Sequence, residues 1–525
     1  MTDGRAKGCL LAAVVWCLIL GLLGVAYKFL VHPYLKDRLK GQTGSSSQYK
    51  NEIVVAADSF SGYAILRSDA VRQELKARQI KLTFRDDKAD YTARLKALQS
   101  GEVQLAVFTI DSLITAGARA GDFPGSIVLV IDETKGGDAI VALQSAVGAL
   151  QDLNDPSARL VLTPNSPSEF LARVVIAHFS LPNLPEKWWI EADGAADVYK
   201  RFRAAGPSDK KGFVLWQPYV SKALQKPGAR VLLDSSKLKG YIVDVLVAER
   251  EFLRDHPDLV RAVVEAHCRA DFQYSQQADG LVRLVMEDAR QTGAESLDES
   301  QARQVVEGIQ WKNTLENYAH FGLAEGAARG DVPHLEDVID NIIDVLVKTR
   351  ALPKDPLSGK HNTLFYGHVL AELKTAGFHP SGNLNVISGM GGGADVETVR
   401  TEKQLASLTP EQWASLRPVG ELRVAPIEFR RASANLSEQS ERDLQDLARR
   451  LESFPQFYLR VVGHARAEGD PEANRQLAQE RADAAAKHLV TQGVNPQRIR
   501  TEAAPAGVAG AEAQVVSFEV GQMPY

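Results

Sequence analysis

The amino-acid sequence predicts an α/β protein: a long region of alternating strands and helices around a mostly parallel sheet, followed by a smaller α/β unit. Three observations carry this expectation. Short apolar runs of strand length alternate with helix-period segments from Ile53 to Leu233, the layout of βαβ units. The composition changes after Gly377, where Ser388–Gly393 and then Arg417–Gly420 break the pattern, as glycine and proline commonly do. Ahead of both lies Cys9–Tyr27, which contains no charged residue.

The apolar segment comes first. With Phe29, Leu30 and Val31 beyond Lys28 it spans roughly 19 residues or more, enough to cross a bilayer as a helix. Trp16 and Tyr27 suit a buried and an interfacial aromatic. A cleaved signal segment is the other reading, with Gly24-Val25-Ala26 as a small-x-small site; the length favours an anchor. Val14-Val15-Trp16 before Cys17 does not fit a lipoprotein signal. Arg5 and Lys7 precede the span, while Lys28, Lys36, Arg38 and Lys40 follow it. By the positive-inside count alone the body would face the cytoplasm.

Gly41–Ser47 reads as a flexible tether. Strands are expected at Ile53–Ala57, Leu82–Phe84, Leu105–Phe108, Ile127–Ile131, Leu160–Leu162, Phe213–Leu215 and Val231–Leu233. Helices are expected from Gly62 through Leu75, over Tyr91–Gln99, and from Thr109-Ile110-Asp111-Ser112. Glu249–Val347 is mainly helical. In the last unit Leu459–Val462 reads as a strand, and Leu444, Leu447 and Leu451 share one helix face.

The chain has 525 residues, 45% hydrophobic and 24% charged, which suggests three or four globular domains. A net charge of -5 without a basic stripe argues against nucleic acid as a partner. Cys9, Cys17 and Cys268 form neither a disulfide framework nor a metal-binding spacing. No P-loop, GxGxxG or catalytic triad is present. No cofactor, metal or catalytic residue is therefore expected. Asp86-Asp87 reads as an exposed turn rather than a pair of catalytic acids.

Several stretches in order resemble periplasmic solute-binding proteins of the nitrate/taurine (NMT1/THI5-like) type. They are Ala57–Tyr63, Ala93–Val103, Thr109–Ser112, Trp216-Gln217-Pro218-Tyr219, and Asp244–Val247 followed by Phe252 and His256-Pro257. The resemblance covers residues 50 to about 350. It implies a two-lobed, type II-like binding fold over 48–380, with the second lobe at about 145–235 and a ligand cleft between the lobes. Ligands in open α/β sheets sit beyond the carboxyl ends of strands, beside helix N-termini. Ser59, Phe60, Ser61, Tyr63, Thr109, Asp111 and Trp216 are the ligand-binding candidates. Ser59 and Ser61 equally suit helix caps, Asp111 suits a cap better than a ligand contact, and Trp216 equally suits a core. Asp132, Asp138 and Asp244 read as turn or cap residues. Should several of these carboxylates converge, the ligand is expected to be cationic, in conflict with a nitrate- or sulfonate-like one.

After a linker at 381–418, residues 419–525 resemble OmpA-like domains, an α+β fold that binds peptidoglycan in many envelope proteins. The match runs through Ile427-Glu428-Phe429, Val461-Val462-Gly463-His464, Asn474, Arg481-Ala482 and Arg498-Ile499. The family's Gly-His-Thr-Asp reads here Gly463-His464-Ala465-Arg466. The resemblance implies that Asn474 and Arg481 belong to the peptidoglycan site and that an acid should accept the diaminopimelate ammonium. Arg466 stands in the acid's place and cannot accept from an ammonium; Glu468 or Asp470 are possible substitutes. Weakened or altered wall binding is expected.

Both resemblances imply a body in the periplasm, held to a bacterial inner membrane by one N-terminal helix and its tether within residues 1–47. The expected role is a receptor for a small solute of unstated identity, serving an ABC-type transporter or a stress-sensing assembly through a membrane-protein partner. A membrane-to-wall scaffold without a ligand is the alternative. An enzyme is disfavoured: relatives that act in thiamine pyrimidine synthesis need a cysteine-rich stretch, and Cys268 stands alone in this domain.

Overall fold

The apolar runs become the strands of three separate sheets in the computed structural model of the chain. The structure describes residues 49–524 except 294–295, 325, 327–328, 383–396, 402–403, 431–432, 465–468 and 505–515. The expected anchor and tether lie outside the described residues. Among the described residues, no helix is long and apolar enough to cross a membrane.

The first lobe opens with β1 (Asn51–Ala56), β2 (Ile80–Arg85), β3 (Leu105–Thr109) and β4 (Gly125–Thr134). The chain crosses into a second lobe built on β5 (Asp138–Leu143), β6 (Arg159–Leu162), β7 (Trp189–Glu191), β8 (Lys211–Trp216) and β9 (Ala229–Asp234). It returns to the first sheet as β10 (Val243–Glu249) and β11 (Ile309–Trp311). The strand orders are β11-β4-β10-β3-β1-β2 and β7-β6-β8-β5-β9. The second sheet therefore begins at Asp138, ahead of the expected start near 145.

The sheets are mixed, not mostly parallel. β1–β3, β6–β7 and β6–β8 pair in parallel. β10 runs antiparallel to β3 and β4, β11 to β4, and β5 to β8 and β9. The reason is the double crossing: each connecting segment delivers a strand into the neighbouring sheet from its opposite end.

The lobe helices start and stop on local chemistry. Of those that frame the site, α1 (Asp69–Ala77) is capped by Ser68. The next, α2 (Tyr91–Gln99), is capped by Asp90 and followed by Ser100 and left-handed Gly101, the pattern expected of a helix end. α3 (Ile110–Ala120) follows β3 directly and stops at left-handed Gly121. In the second lobe α4 (Pro167–His178) has Ser166 as its cap. The helical region back in the first lobe includes α5 (Pro257–Ser275) and α6 (Leu335–Lys348).

The two crossing segments are laced together. Lys135 Nζ donates to Leu238 O at 2.7 Å, Gly136 N to Ser235 Oγ at 2.8 Å, and Gly240 N to Glu133 Oε1 at 2.7 Å. Lys312 Nζ lies 2.8 Å from the other Glu133 oxygen. Although Glu133 is buried, Lys135 and Lys312 hold its carboxyl well below the usual range.

The third domain has a sheet in the order β12-β15-β13-β14, from β12 (Arg417–Glu421), β13 (Tyr458–Gly463), β14 (Ile499–Ala503) and β15 (Val516–Gln522). α7 (Glu438–Glu452) buries Leu444, Leu447 and Leu451, and α8 (Pro471–Thr491) buries Ala478, Ala482, Ala485 and Leu489. A Cβ at Gly463 would stand 2.0 Å from the Ala478 carbonyl oxygen, so the α8–β13 packing requires glycine there.

Residues Glu52–Tyr525 form one compact unit, because the third domain docks on the second lobe and on the second crossing segment. Phe179 and Leu422 form an antiparallel bridge, flanked by Ser180 N to Glu421 O at 2.8 Å and Arg423 N to His178 O at 2.7 Å. Lys239 N donates to Ser453 O at 3.0 Å. Phe454 packs edge-on against His178 at 5.2 Å and lies 6.0 Å from Tyr241, whose hydroxyl meets His178 Nε2 at 2.8 Å. Arg498 holds the turn carrying Phe454, donating to Phe457 O at 2.8 Å and Phe454 O at 2.6 Å. Part of the expected linker packs on the first lobe: Asn313 Nδ2 donates to Thr398 O at 2.8 Å, and Thr314 Oγ1 donates to Glu397 at 3.2 Å.

Candidate functional site

Beyond β1 the chain turns sharply, and Asp58 holds the turn. Its Oδ1 accepts from Phe60 N at 2.9 Å, and its Oδ2 from Arg94 at 2.9 Å. Arg94 is fully buried and also donates to Asp87 at 2.7 Å. Asp87 is thus half of an ion pair, while Asp86 is exposed. The short helical turn Ser61–Tyr63 is entered at Phe60 without a side-chain cap. Asp58, not Ser59 or Ser61, does the local hydrogen bonding.

Ser59, Phe60 and Ser61 are half-buried, and Tyr63 is buried. The Tyr63 hydroxyl donates to Asp244 Oδ1 at 2.5 Å, and its ring meets Phe60 edge-on at 5.3 Å. Trp311 Nε1 donates to Gly62 O at 2.7 Å. A Cβ at Gly62 would stand 2.4 Å from Asp132 Oδ2, so the loop passes directly over that carboxylate.

The sheet register assembles the rest. Thr109 on β3 lies opposite Asp244 on β10, Asp244 opposite Asp132 on β4, and Asp132 opposite Trp311 on β11. Directly opposed residues share a face. The β10–β4 ladder slips at Asp244/Val245, the kind of irregularity that re-aims side chains beside sites. Thr109 Oγ1 donates to Ser112 Oγ at 2.9 Å, within the first turn of α3 that carries Asp111. From the second lobe, Asp138 opens β5 opposite Trp216, the last residue of β8. Trp216 is half-buried and packs partly on its own lobe's core.

Four carboxyl groups are thereby buried: Asp132 at 0% exposure, Asp244 at 1%, Asp138 at 4% and Asp111 at 6%. Both oxygens of Asp132 and Oδ1 of Asp111 receive no hydrogen bond from the protein. Burial pushes Asp111 and Asp138 up to about 7. It holds Asp132 and Asp244 well above the usual carboxylate range, and the charge of Asp132 raises Asp244 further. Asp138 raises Asp132, and Asp111 raises Asp138. The four are close enough to act on one another electrostatically.

This corrects the expectation that Asp132, Asp138 and Asp244 are turn or cap residues. Each lies in a strand, where a buried acid has no local backbone donor. Thr109 holds the N-cap position of α3 without a side-chain cap bond, and the Asp111 carboxyl accepts from first-turn N–H groups, its own and that of Ser112. The signal was present in the sequence: Asp132 directly follows Val128-Leu129-Val130-Ile131, and Asp244 sits between Val243 and Val245. Trp311 carried no comparable signal. Among the described residues, no group of three His, Cys, Asp or Glu side chains is placed to hold a metal ion.

The second candidate site is on the third domain. Arg481 is buried, donates Nε to Ser433 O at 3.1 Å and lies over the Phe429 ring at 5.1 Å. Asn474 is half-buried in the first turn of α8. Asp470, a possible substitute for the missing acid, caps that helix through Glu472 N at 2.9 Å. Arg466 and Glu468 lie outside the described residues.

Residues 428–512 match the OmpA family. Over 76 residues the chain is 36% identical to the probable lipoprotein YiaD of Escherichia coli (strain K12); the match takes in 14% of this chain and 35% of that protein's length. The periplasmic aliphatic sulphonate binding protein SsuA from Escherichia coli is 16% identical, with a TM-score of 0.45, over 61% of this chain and 99% of its own. The periplasmic nitrate-binding protein NrtA from Synechocystis PCC 6803 is 11% identical, with a TM-score of 0.44, over 63% of this chain and 90% of its own. A desulfurization enzyme, DSZB, is among the similar structures as well.

Proposed function

We propose that the chain is a cell-envelope receptor that binds a small solute between its two lobes and turns an OmpA-family domain toward the cell wall. One observation carries this reading: Asp138 of the second lobe lies within electrostatic reach of Asp132 and Asp111 of the first, beside Tyr63 and Asp244, where two laced segments join the lobes. A solute would reach these buried groups by parting the lobes about the crossing segments, a hinge motion that converts occupancy into shape. Ser59, Phe60, Ser61 and Thr109 border the same junction. Cys268, the sole cysteine outside the N-terminal segment, is buried with its thiol pushed up by burial. That supports a binding protein over cysteine-dependent chemistry. Anchoring by residues 1–47 and a periplasmic body belong to the same proposal.

Thermal melting of the full chain against a small-solute library tests the receptor reading. At least one solute should raise the melting temperature in proportion to the logarithm of its concentration. A library without a hit leaves a scaffold as the better reading.

The OmpA-family match supports wall association, while the burial of Arg481 and the use of Asp470 as a helix cap support a weakened site. Pull-down on purified sacculi should recover the unmodified protein poorly. Arg466→Asp, which restores an acceptor for an ammonium, should recover about tenfold more, a charge-assisted bond being worth roughly 1.5–3 kcal/mol. Equal recovery of the two proteins would refute the assignment.

A further inference from the structure

We propose that the inter-lobe junction takes a small organic cation bearing N–H donors, an alkylammonium or a guanidinium, held by Asp132 and Asp111 with Asp138 and Asp244 completing the charge. The inference rests on the receptor reading above and adds the ligand's charge and donor chemistry.

Three observations support it independently of one another. First, Asp132 is fully buried and both of its oxygens lack a protein donor, as does Oδ1 of Asp111. Buried polar groups are nearly always hydrogen-bonded, so an unpaired buried carboxylate calls for a partner such as a ligand or a water. Second, the positive side chains near the junction are each paired with another acid, although the charge of Lys312 also reaches Asp132. Arg94 is held by Asp58 and Asp87, and Lys312 by Glu133. Arg67 is held by Asp288. Third, the first turn of α3, which in an anion site would offer its N–H groups to the ligand, carries the Asp111 carboxyl instead. The Phe60 ring lies beside Asp132 and the Tyr63 ring beside Asp244, and aromatic faces attract cations.

A single metal ion fits poorly, because the acids do not gather three at a time around one point among the described residues. An organic cation with separate N–H groups can address acids that stand apart. The surroundings that set their protonation are Glu133, Lys312 and Asp138 for Asp132; Tyr63, Asp58 and Asp111 for Asp244; and Glu169 and Thr109 for Asp111. Burial makes these acids hold their protons to higher pH than exposed carboxyls do. An arriving ammonium replaces them: each carboxylic acid that becomes a carboxylate on binding passes one proton to the buffer.

The proton balance provides the test. Putrescine, agmatine, nitrate and methanesulfonate are titrated into the full chain at pH 7 by calorimetry, in two buffers of different ionisation enthalpy. The expected result is binding of an amine with net proton release, weakened at least about 30-fold in Asp132→Asn. Asp111→Asn serves as the second variant should Asp132→Asn fail to fold. Binding of an oxyanion with proton uptake would overturn the cation assignment and leave the receptor reading intact; so would amine binding that neither variant weakens. Failure of all four probes alongside a neutral hit in the solute library also sinks the cation. Failure of every solute sinks both.

Discussion

Asp132→Asn is expected to raise the melting temperature of the ligand-free chain, and to raise it more at pH 8 than at pH 5. The direction follows from burial. Asp111 and Asp138 have folded-state values near 7, against about 3.9 in an unfolded chain, and Asp132 and Asp244 are shifted the same way. A carboxyl raised in the folded state contributes stability that is fully present below about 4. It is lost as pH climbs through about 7, because the unfolded chain ionises freely while the folded one resists. An amide at position 132 removes one titrating group and relieves the repulsion on Asp244. The gain at pH 8 should be roughly 2–4 kcal/mol, the scale of an unpaired buried charge, or several degrees. Differential scanning calorimetry from pH 5 to 8 measures it. A variant that melts lower than the unmodified chain across that range would show that Asp132 holds the fold rather than a ligand. Residues that bind at the expense of stability are common at functional sites.

The second large effect is expected at the domain junction. Phe454→Ala removes the ring that packs on His178 and Tyr241 and should cost about 3–5 kcal/mol, the usual penalty for a buried phenylalanine. It should also split one cooperative melting transition into two, as the third domain unfolds apart from the lobes. Acid should mimic the substitution. Burial lowers His178 to about 3, against about 6.5 unfolded. A depressed histidine contributes stability that is complete above about 6.5 and is lost as pH falls toward 3. Limited proteolysis between pH 7 and 4 should therefore release the third domain as acidity rises. A single transition in Phe454→Ala, with unchanged proteolysis, would show that the docking contributes little.

What could be read in the sequence depended on how local each determinant is. The helix Tyr91–Gln99 was legible because Asp90 and Ser100-Gly101 mark its ends with their own hydrogen bonds and dihedral angles. The strands were legible as apolar runs. Their mixed direction was not, because antiparallel entry of β10 beside β3 is decided by a connection of more than a hundred residues. The loop Ser59–Tyr63 was found by resemblance, yet its anchor proved to be Asp58, whose partner Arg94 lies on another helix. The burial of Asp132, Asp138 and Asp244 is hidden by the preference of aspartate for turns. An acid embedded in a run of valine, leucine and isoleucine has no turn to serve, and that pattern pointed to burial. The docking of Phe454 on Tyr241 left no trace in the sequence, since each residue looks like an ordinary core aromatic and the pairing is tertiary.

The place where the third domain grips the rest of the molecule has a mechanical consequence. Its contacts through Ser453 and Phe454 fall on Lys239 and Tyr241, in the segment about which the lobes would turn, and not on a lobe tip. Near a pivot, a rotation produces a short stroke and a large force. The third domain would then register lobe closure as torque at its base rather than as a sweep through the surrounding space.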